Sequence, residues 1–573
     1  DRFAARSAIV AALGDRGLLV SSRPHASNPA RCQRSNDILE PRLRTQWFIK
    51  AKPLAEKALA ATRSGKTRIV PSHFEKTWEH WLTDIRDWNV SRQLWWGHRI
   101  PAWYCDDGHI TVSDRAEGPS GCSECGALAE SLVQESDIFD TWFSSGLWPF
   151  STLGWPDQTS DLKRFYPSQV METGHDILFF WVARMMMLGI ELMGEPPFET
   201  IFLHGMVRDP EGQKMSKTKG NVVDPLSVID EIGADALRFA LVAGTSAGAD
   251  QRLSPEKLEN ARNFMNKLWN AARYVLGARP PEASGERPDA ASVRSAAGEF
   301  GAWFASRIDA AVEDVDRNLA GFGFSEAAQR IYDAIWAEYC DQAIELAKVT
   351  LADASRPAAE RVAVWWTLVD GLDTLLRLLH PIAPFITEGI WEVLPRGGGE
   401  GRLLATASWP ERPSDGARPE HNAIDQWLDL VREVRAARTT AKIPAGAWMP
   451  FTVSASAALA ASGERMRPAI ERLARVRPMT IVDALPAGEG GLLVVSNALS
   501  GRLIPPHADA ATIDADRARR ERDLAAARAQ LAATEARLAD QAFVGKAPAA
   551  VVAGTERRVA ELRDEIRRLE GEG

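Results

Sequence analysis

Residues 200–221 read Thr200-Ile201-Phe202-Leu203-His204-Gly205-Met206-Val207-Arg208-Asp209-Pro210-Glu211-Gly212-Gln213-Lys214-Met215-Ser216-Lys217-Thr218-Lys219-Gly220-Asn221. The run from Thr200 to Gly205 is short, apolar and closed by glycine, which reads as a buried strand whose tip lets another group approach closely. A glycine-bearing approach, Asp209 to Gly212, then delivers two lysines three positions apart, Lys214 and Lys217, and a helix is expected from Pro225. A loop of this kind brings ammonium groups to phosphates, where charge developing at an α-phosphate can be stabilised. By composition alone the same lysines would read as a solvated turn. The strand before them and the helix after them favour the first reading.

Working outward, residues 84–250 alternate short apolar runs with helical patterns, as α/β proteins do. Ile177 to Leu192 is the predicted helix ahead of the strand; its apolar stretch to Ile190 spans 14 residues and carries Arg184, so it reads as a buried helix, not a membrane span. From Leu253 onward the periods lengthen. Leu258, Arg262, Met265, Trp269 and Ala272 mark one predicted helical face, and Leu368, Leu372, Leu375, Leu376 and Leu379 another. A Pro/Gly/Ser-rich linker covers 279–297, and Gly397-Gly398-Gly399 with the proline-studded 410–419 forms the next boundary. Residues 420–505 read as a small α+β module with a strand at Leu492–Val495. In the tail, Leu524, Leu531 and Leu538 recur every seven residues, and Val552, Val559, Leu562, Ile566 and Leu569 continue the pattern after a Gly/Pro break at Phe543–Pro548. Two heptad helices about a turn predict an antiparallel coiled-coil hairpin, its first arm roughly 42 Å long at 1.5 Å per residue; a dimerisation zipper is the alternative.

A chain of 573 residues exceeds one hydrophobic core and implies several domains. The apolar share of 45% and charged share of 25% are those of a soluble globular protein. Five cysteines, unevenly spaced, do not make a secreted disulfide framework and fit a reducing cytoplasm. The net charge of −9 argues against nucleic-acid binding by the whole surface, though a local basic groove is compatible with it. Of the 20 tryptophans, many fall between Trp78 and Trp181, which suggests an aromatic-lined region. The segment Arg2–Val20 reads as an amphipathic helix entering a strand, already inside a fold, from which an N-terminal part is expected to be missing.

Lys214-Met215-Ser216-Lys217-Thr218 with His204-Gly205 upstream resembles the second signature of class I aminoacyl-tRNA synthetases. The stretches WNVSRQLWWGHRIPAWYC (88–105), DIFDTWFSSGLWPFSTLGWP (137–156), GHDILFFWVARM (174–185) and FVGKAPAAVV (543–552) resemble the valyl family; the isoleucyl and leucyl families share only parts of them. The resemblance covers essentially the whole chain. It implies a multidomain α/β plus all-α protein. Its parts would be the exit of an editing domain (1–50), the second half of a Rossmann-like catalytic domain (51–250), a helical anticodon-binding bundle (251–410), an α+β junction module (411–512) and a coiled-coil tRNA-binding hairpin (513–573).

Carried over residue by residue, the resemblance places Lys217 on the ATP phosphates with Lys214 and Ser216 beside it. His204 and Gly205 would lie by the adenine, and Gly174 with Asp176 by the ribose. It gives Asp137 the α-ammonium of valine, and Trp103 and Trp142 the walls of the side-chain pocket; without the resemblance either tryptophan reads as a core residue. Such a pocket cannot strongly reject threonine, a limit of about 100-fold for which valyl enzymes are the standard example, so the family edits elsewhere. Residues 1–45 resemble only the exit of that editing domain.

The resemblance implies a first signature, a His-x-Gly-His type motif at a helix start that completes the ATP cradle, and the sequence contains no counterpart to it. The expectation is therefore that these residues alone do not form valyl-adenylate. Implied partners are ATP with Mg2+, valine and tRNA(Val), for a cytoplasmic monomer without membrane attachment. Cys122-x-x-Cys125 has the spacing of a zinc knuckle, Cys105 lies 17 residues earlier, and His109 would complete a Cys3His set; two adjacent free thiols are the alternative. For tRNA, Arg432, Arg435, Arg438 and Lys442 recur at helical spacing, and Arg517, Arg519, Arg520, Arg522 and Arg528 open the coiled coil; both read equally as solvated charged faces. The rival assignments are an isoleucyl-type synthetase, a non-catalytic tRNA-binding module and a coiled-coil assembly protein.

Overall fold

The computed structural model describes every residue except 1, 27, 33–34, 41–42, 216–219, 284–287, 396–401, 412–422, 487–490, 505–509, 540–548 and 571–573. The chain divides into two units. One comprises residues 1–66, 77–168 and 179–197, the other 67–76, 169–178 and 198–573.

In the first unit the helix Ala51–Arg63 buries Ala51, Ala55, Ala58 and Leu59. It packs on the methionine-rich helix Ala183–Met193, whose small and flexible side chains (Ala183, Met185, Met186, Met187, Gly189) fill the interface. The antiparallel strands Ile110–Val112, Ala102–Tyr104 and Val133–Gln134 make a ribbon. The N-terminal expectation holds in part. Arg2–Asp15 is helical, but it buries no side chain, and no strand follows at 18–20.

The second unit opens with a three-stranded sheet in the order Arg68–Val70, Phe198–His204, Ser168–Gly174, the first pair parallel. The middle strand buries Ile201, Phe202 and Leu203, as its unbroken apolar run requires. After it come the long helices Pro255–Gly277, Gly298–Ala320 and Ala358–Leu379 with shorter ones between. Leu368, Leu372, Leu375, Leu376 and Leu379 are all fully buried, as their spacing predicts. Of the face predicted for the first long helix, Met265 and Ala272 are buried, but Trp269 is 45% exposed, and Ala261, Phe264, Leu268, Ala271 and Val275 join the core beside it. The apolar stripe there is wider than the one followed in the sequence, and Trp269, the largest residue on it, sits at its wet margin.

Helix Ala423–Thr440 leads into the α+β module, a sheet ordered Val476–Val482, Met449–Ser454, Ser500–Leu503, Leu492–Val495, with helix Ala457–Ala474 crossing between the first two, parallel strands. In the tail, helices Ala510–Ala539 and Ala549–Glu570 pack on one another through buried Ala527, Val559 and Leu562, with Arg563 paired to Glu535 at 2.7 Å. The break at Phe543–Pro548 lies outside the described residues.

Candidate functional site

The open tips of two neighbouring strands form the base of the site in the second unit. A Cβ added to Gly174 would stand 2.8 Å from Asp176 Oδ1 and 3.5 Å from the His204 ring, a crowding that the Asp176 side chain would relieve by shifting. Gly205 is tighter still: a Cβ there would fall 1.9 Å from the Ala249 carbonyl oxygen. Two stretches of backbone are thus brought edge to edge at the carboxyl end of parallel strands, the position where open α/β sheets bind ligands. Asp176, in the short turn after Gly174, faces Lys214 Nζ at 3.7 Å. His204 offers Nε2 to Glu172 at 3.2 Å and Nδ1 to the Gly205 carbonyl at 2.7 Å. Gly174, Asp176, His204, Gly205 and Lys214 are therefore gathered at one sheet edge. Ser216 and Lys217 lie outside the described residues.

Two acids the sequence did not single out hold this edge together. Asp250 accepts the Met206 N–H at 2.7 Å and Arg208 Nε at 2.6 Å, with His175 at 3.5 Å. The Met206 N–H, and after it Arg208, hold the Asp250 carboxyl below its ordinary range. Buried Asp209 accepts the Gln213 N–H at 2.5 Å and Asn221 Nδ2 at 2.8 Å, which fastens both ends of the segment carrying Lys214. Neither acid follows a period or a motif spacing. A cavity of about 670 Å3 adjoins the edge, bounded by His204, Gly205, Phe202, Arg238, Phe322 and Phe324 among others, a volume suited to a small molecule.

In the first unit, Asp137 is buried and both its oxygens are engaged: Oδ1 receives Arg44 at 2.9 Å and Oδ2 receives Gln93 at 2.7 Å. An incoming ammonium would share these oxygens with Arg44 and Gln93 or displace one of them. Trp142 stands half-buried with its ring 6.3 Å from Phe180, an aromatic pair that could wall a small apolar space. Trp103 lies in the ribbon, with its indole 3.1 Å from where a Cβ on Gly118 would stand. Trp95 and Trp96 are fully exposed. Asp140 was legible as a helix cap: it begins Thr141–Gly146 and also gathers Trp88 Nε1 at 3.0 Å and Arg92 at 2.9 Å.

The ribbon carries a donor cluster. Sulfur and nitrogen atoms of Cys105, His109, Cys122 and Cys125 all lie within 4.8 Å of one another. Cys105 and Cys125 sulfurs are 3.8 Å apart, and Cys105 Sγ is 3.4 Å from His109 Nδ1. Tetrahedral coordination with zinc–sulfur bonds of about 2.3 Å places two sulfurs roughly 3.8 Å apart, so this set fits the ion. Backbone N–H groups of Cys125 and Glu124 point at the Cys122 sulfur and bring its thiol down to about 6, favouring thiolate. Cys125 receives the Ala127 N–H yet is pushed up to about 11 by the neighbouring Cys122 and Cys105 sulfurs. His109 Nε2 faces Glu124 at 3.8 Å, an outer partner of the kind that orients a ligating imidazole.

The basic face expected on helix Ala423–Thr440 is largely used internally. Arg438 is buried and donates to the carbonyls of Arg475, Pro444 and Ala447; Arg435 donates to the Leu473 carbonyl; Arg432 pairs with Asp429. The Arg435 and Arg438 guanidinium groups satisfy carbonyls that would otherwise be orphaned, whereas Arg432, paired with Asp429, and Lys442 stand exposed without that duty.

Three families match in order along the chain: "tRNA synthetases class I (I, L, M and V)" over residues 30–254, "Anticodon-binding domain of tRNA ligase" over 301–452, and "Valyl tRNA synthetase tRNA binding arm" over 512–572. Valine--tRNA ligases of Dehalococcoides mccartyi and Solibacter usitatus are 42% and 39% identical across 99% of the chain. The chain belongs to the valyl-type class I tRNA synthetases. It spans 63% of the length of these two relatives. Methionyl-tRNA synthetase of Mycobacterium tuberculosis in complex with methionyl-adenylate shares the fold, with a TM-score of 0.50 at 19% identity, covering 68% of this chain and 72% of that one. The three matches span the strand-edge site, most of the helical bundle and the paired tail helices. No helix among the described residues is long and apolar enough to cross a membrane.

Proposed function

We propose that the chain carries the nucleotide-edge and tRNA-binding parts of a valine--tRNA ligase, which activates valine with ATP and transfers it to tRNA(Val). The observation that carries this reading is the meeting of Lys214 with Asp176 at 3.7 Å over the Gly174 and Gly205 strand tips. Asp176 would accept the ribose hydroxyls, and Lys214 with Lys217 and Ser216 would face the phosphates. His204 and Gly205 would border the adenine. Mg2+ would arrive bound to the ATP phosphate oxygens, its preferred ligands. The valine side would be formed by Trp142 with Phe180, and by Asp137. Trp103 would be a further wall of that pocket.

Zinc would be held by Cys105, His109, Cys122 and Cys125, where it would cross-link the two turns of the ribbon. Its role there would be structural, because all four positions of a tetrahedron are filled by protein. The helical bundle and the paired tail helices would receive tRNA, in a monomer working in the cytoplasm.

The test is tRNA binding by the 573-residue chain together with valine-dependent ATP–pyrophosphate exchange. Binding is expected to favour a tRNA(Val) transcript over tRNA(Ile); equal affinity would defeat the valyl assignment. Exchange by this chain alone is expected to be absent, since its sequence contains no His-x-Gly-His motif. Robust exchange would refute the need for that motif.

A further inference from the structure

Between the two tRNA-related matches lies a stretch, 453–511, that neither of them covers. At its near edge Trp448 stands 38% exposed just ahead of strand Met449–Ser454. Arg475 stands just ahead of the parallel strand Val476–Val482, and the register pairs Met449 with Val476, so Trp448 and Arg475 begin neighbouring strands. The guanidinium carbons of Arg475 and Arg477 lie 5.3 and 4.7 Å from the centre of the Trp448 indole, within cation–π range. Arg475 and Arg477 are both exposed, and Arg477 shares one carboxylate, Glu471, at 3.1 Å.

The backbone beneath is built to hold this arrangement. Buried Arg438 donates to the carbonyl of Arg475 at 3.1 Å and to those of Pro444 and Ala447 at 3.0 and 2.9 Å, tying the turn that precedes Trp448 to the start of the next strand. Arg475 ends its helix at φ +55° and Lys442 turns at φ +53°. Glycine or asparagine would occupy such left-handed positions with less strain, yet long cations stand there.

We propose that Arg475 and Arg477, held over Trp448, form with the exposed Lys442 of the preceding turn a phosphate-binding surface for RNA on the α+β module. The indole acts as a plate that holds two guanidinium groups at a fixed spacing, and their N–H forks match phosphodiester oxygens. The RNA is the one bound by the flanking domains, so the proposal rests on the tRNA reading given above. A chain path that joins two tRNA-contacting domains would place this surface along the same molecule.

The experiment is filter binding of labelled tRNA(Val) transcript to the full chain across a salt series, for wild type, Arg477→Ala, Arg475→Gly, Trp448→Leu and Trp448→Phe. Glycine at 475 removes the side chain while suiting the backbone, so folding is kept. Each arginine loss is expected to weaken binding several-fold and to reduce the slope of log K against log salt by about 0.7–0.9. Trp448→Leu is expected to weaken binding about 2- to 5-fold, the worth of an exposed cation–π contact, with Trp448→Phe restoring most of it. If wild type binds and all four variants match it in affinity and slope, the surface does not touch RNA and the tRNA reading stands without it; a role toward a protein would give this same pattern. If the arginine variants weaken binding but Trp448→Leu does not, the plate is refuted. If wild type fails to bind any tRNA, the functional reading falls and this surface with it.

Discussion

Gly205→Ala is the sharpest perturbation of the strand edge. The added methyl would sit 1.9 Å from the Ala249 oxygen, 2.1 Å from its carbonyl carbon and 2.5 Å from the Asp250 nitrogen, all backbone atoms that cannot rotate away. Carbon atoms in contact settle about 3.5–4.0 Å apart, so the two segments must separate by roughly 1.5 Å. That displacement breaks the Met206 N–H bond to Asp250 at 2.7 Å and the Gln251 N–H bond to the Met206 carbonyl at 3.0 Å. A hydrogen bond to a charged group contributes about 1.5–3 kcal/mol and a neutral one about 1, giving a local loss of about 2.5–4 kcal/mol. At 1.4 kcal/mol per decade, amide protection should fall roughly 100-fold or more. Hydrogen exchange by mass spectrometry, on peptides spanning 203–209 and 248–253, measures it directly. Wild-type protection in the alanine variant would refute the close approach, and with it the geometry assigned to the nucleotide edge.

The remaining expectations concern other parts of the chain. Protein prepared without chelator should carry about one zinc per chain, bound by four ligands, and Cys122→Ser with Cys125→Ser should abolish it; elemental analysis decides. Arg438→Met leaves buried carbonyls unpaired and should cost about 3–5 kcal/mol, read as faster exchange at residues 443–448; unchanged exchange would mean the guanidinium does not hold that turn. Burial alone would raise the Glu135 carboxyl, but hydrogen bonds from the Trp47 indole, the Asp137 N–H and the Tyr104 hydroxyl bring it down to about 2 from 4.5. A depressed carboxyl stabilises the fold above its unfolded value and loses that contribution as pH falls, here between about 4.5 and 2. Glu135→Gln should therefore lower stability at neutral pH, and the gap to wild type should close near pH 2; a constant gap in acid-titration melts would contradict this.

How much of this was legible depends on whether local pattern or tertiary placement decides. The strand at Phe198–His204, the leucine face of Ala358–Leu379 and the donor set at Cys105, His109, Cys122 and Cys125 follow from apolar runs, periodicity and ligand spacing, all local properties. Trp269 shows the limit of periodicity, because a broad apolar stripe does not reveal which edge meets water. Asp250 and Asp209 matter through backbone groups brought to them by folding, and no spacing announces that. Arg438 teaches the same lesson from the other side: helical spacing shows a basic face, but only burial shows that the charge serves carbonyls within the chain. The roles that the resemblance gives Asp137 and Trp103 rest on motif position alone, whereas their neighbours, Arg44 and Gly118, come from elsewhere in the sequence.

The parallel pairing of Arg68–Val70 with Phe198–His204 joins residues 132 positions apart. On a ribosome adding about 5–20 residues per second, the first strand would wait roughly 7–26 s for its partner. During that interval its edge can pair with a neighbouring nascent chain, the hazard common to unpaired strands. Production of this protein should therefore be limited less by the final stability of the sheet than by how well that early edge is shielded. Slower translation after residue 70 should lower soluble yield, and co-expressed holdase chaperones should recover it.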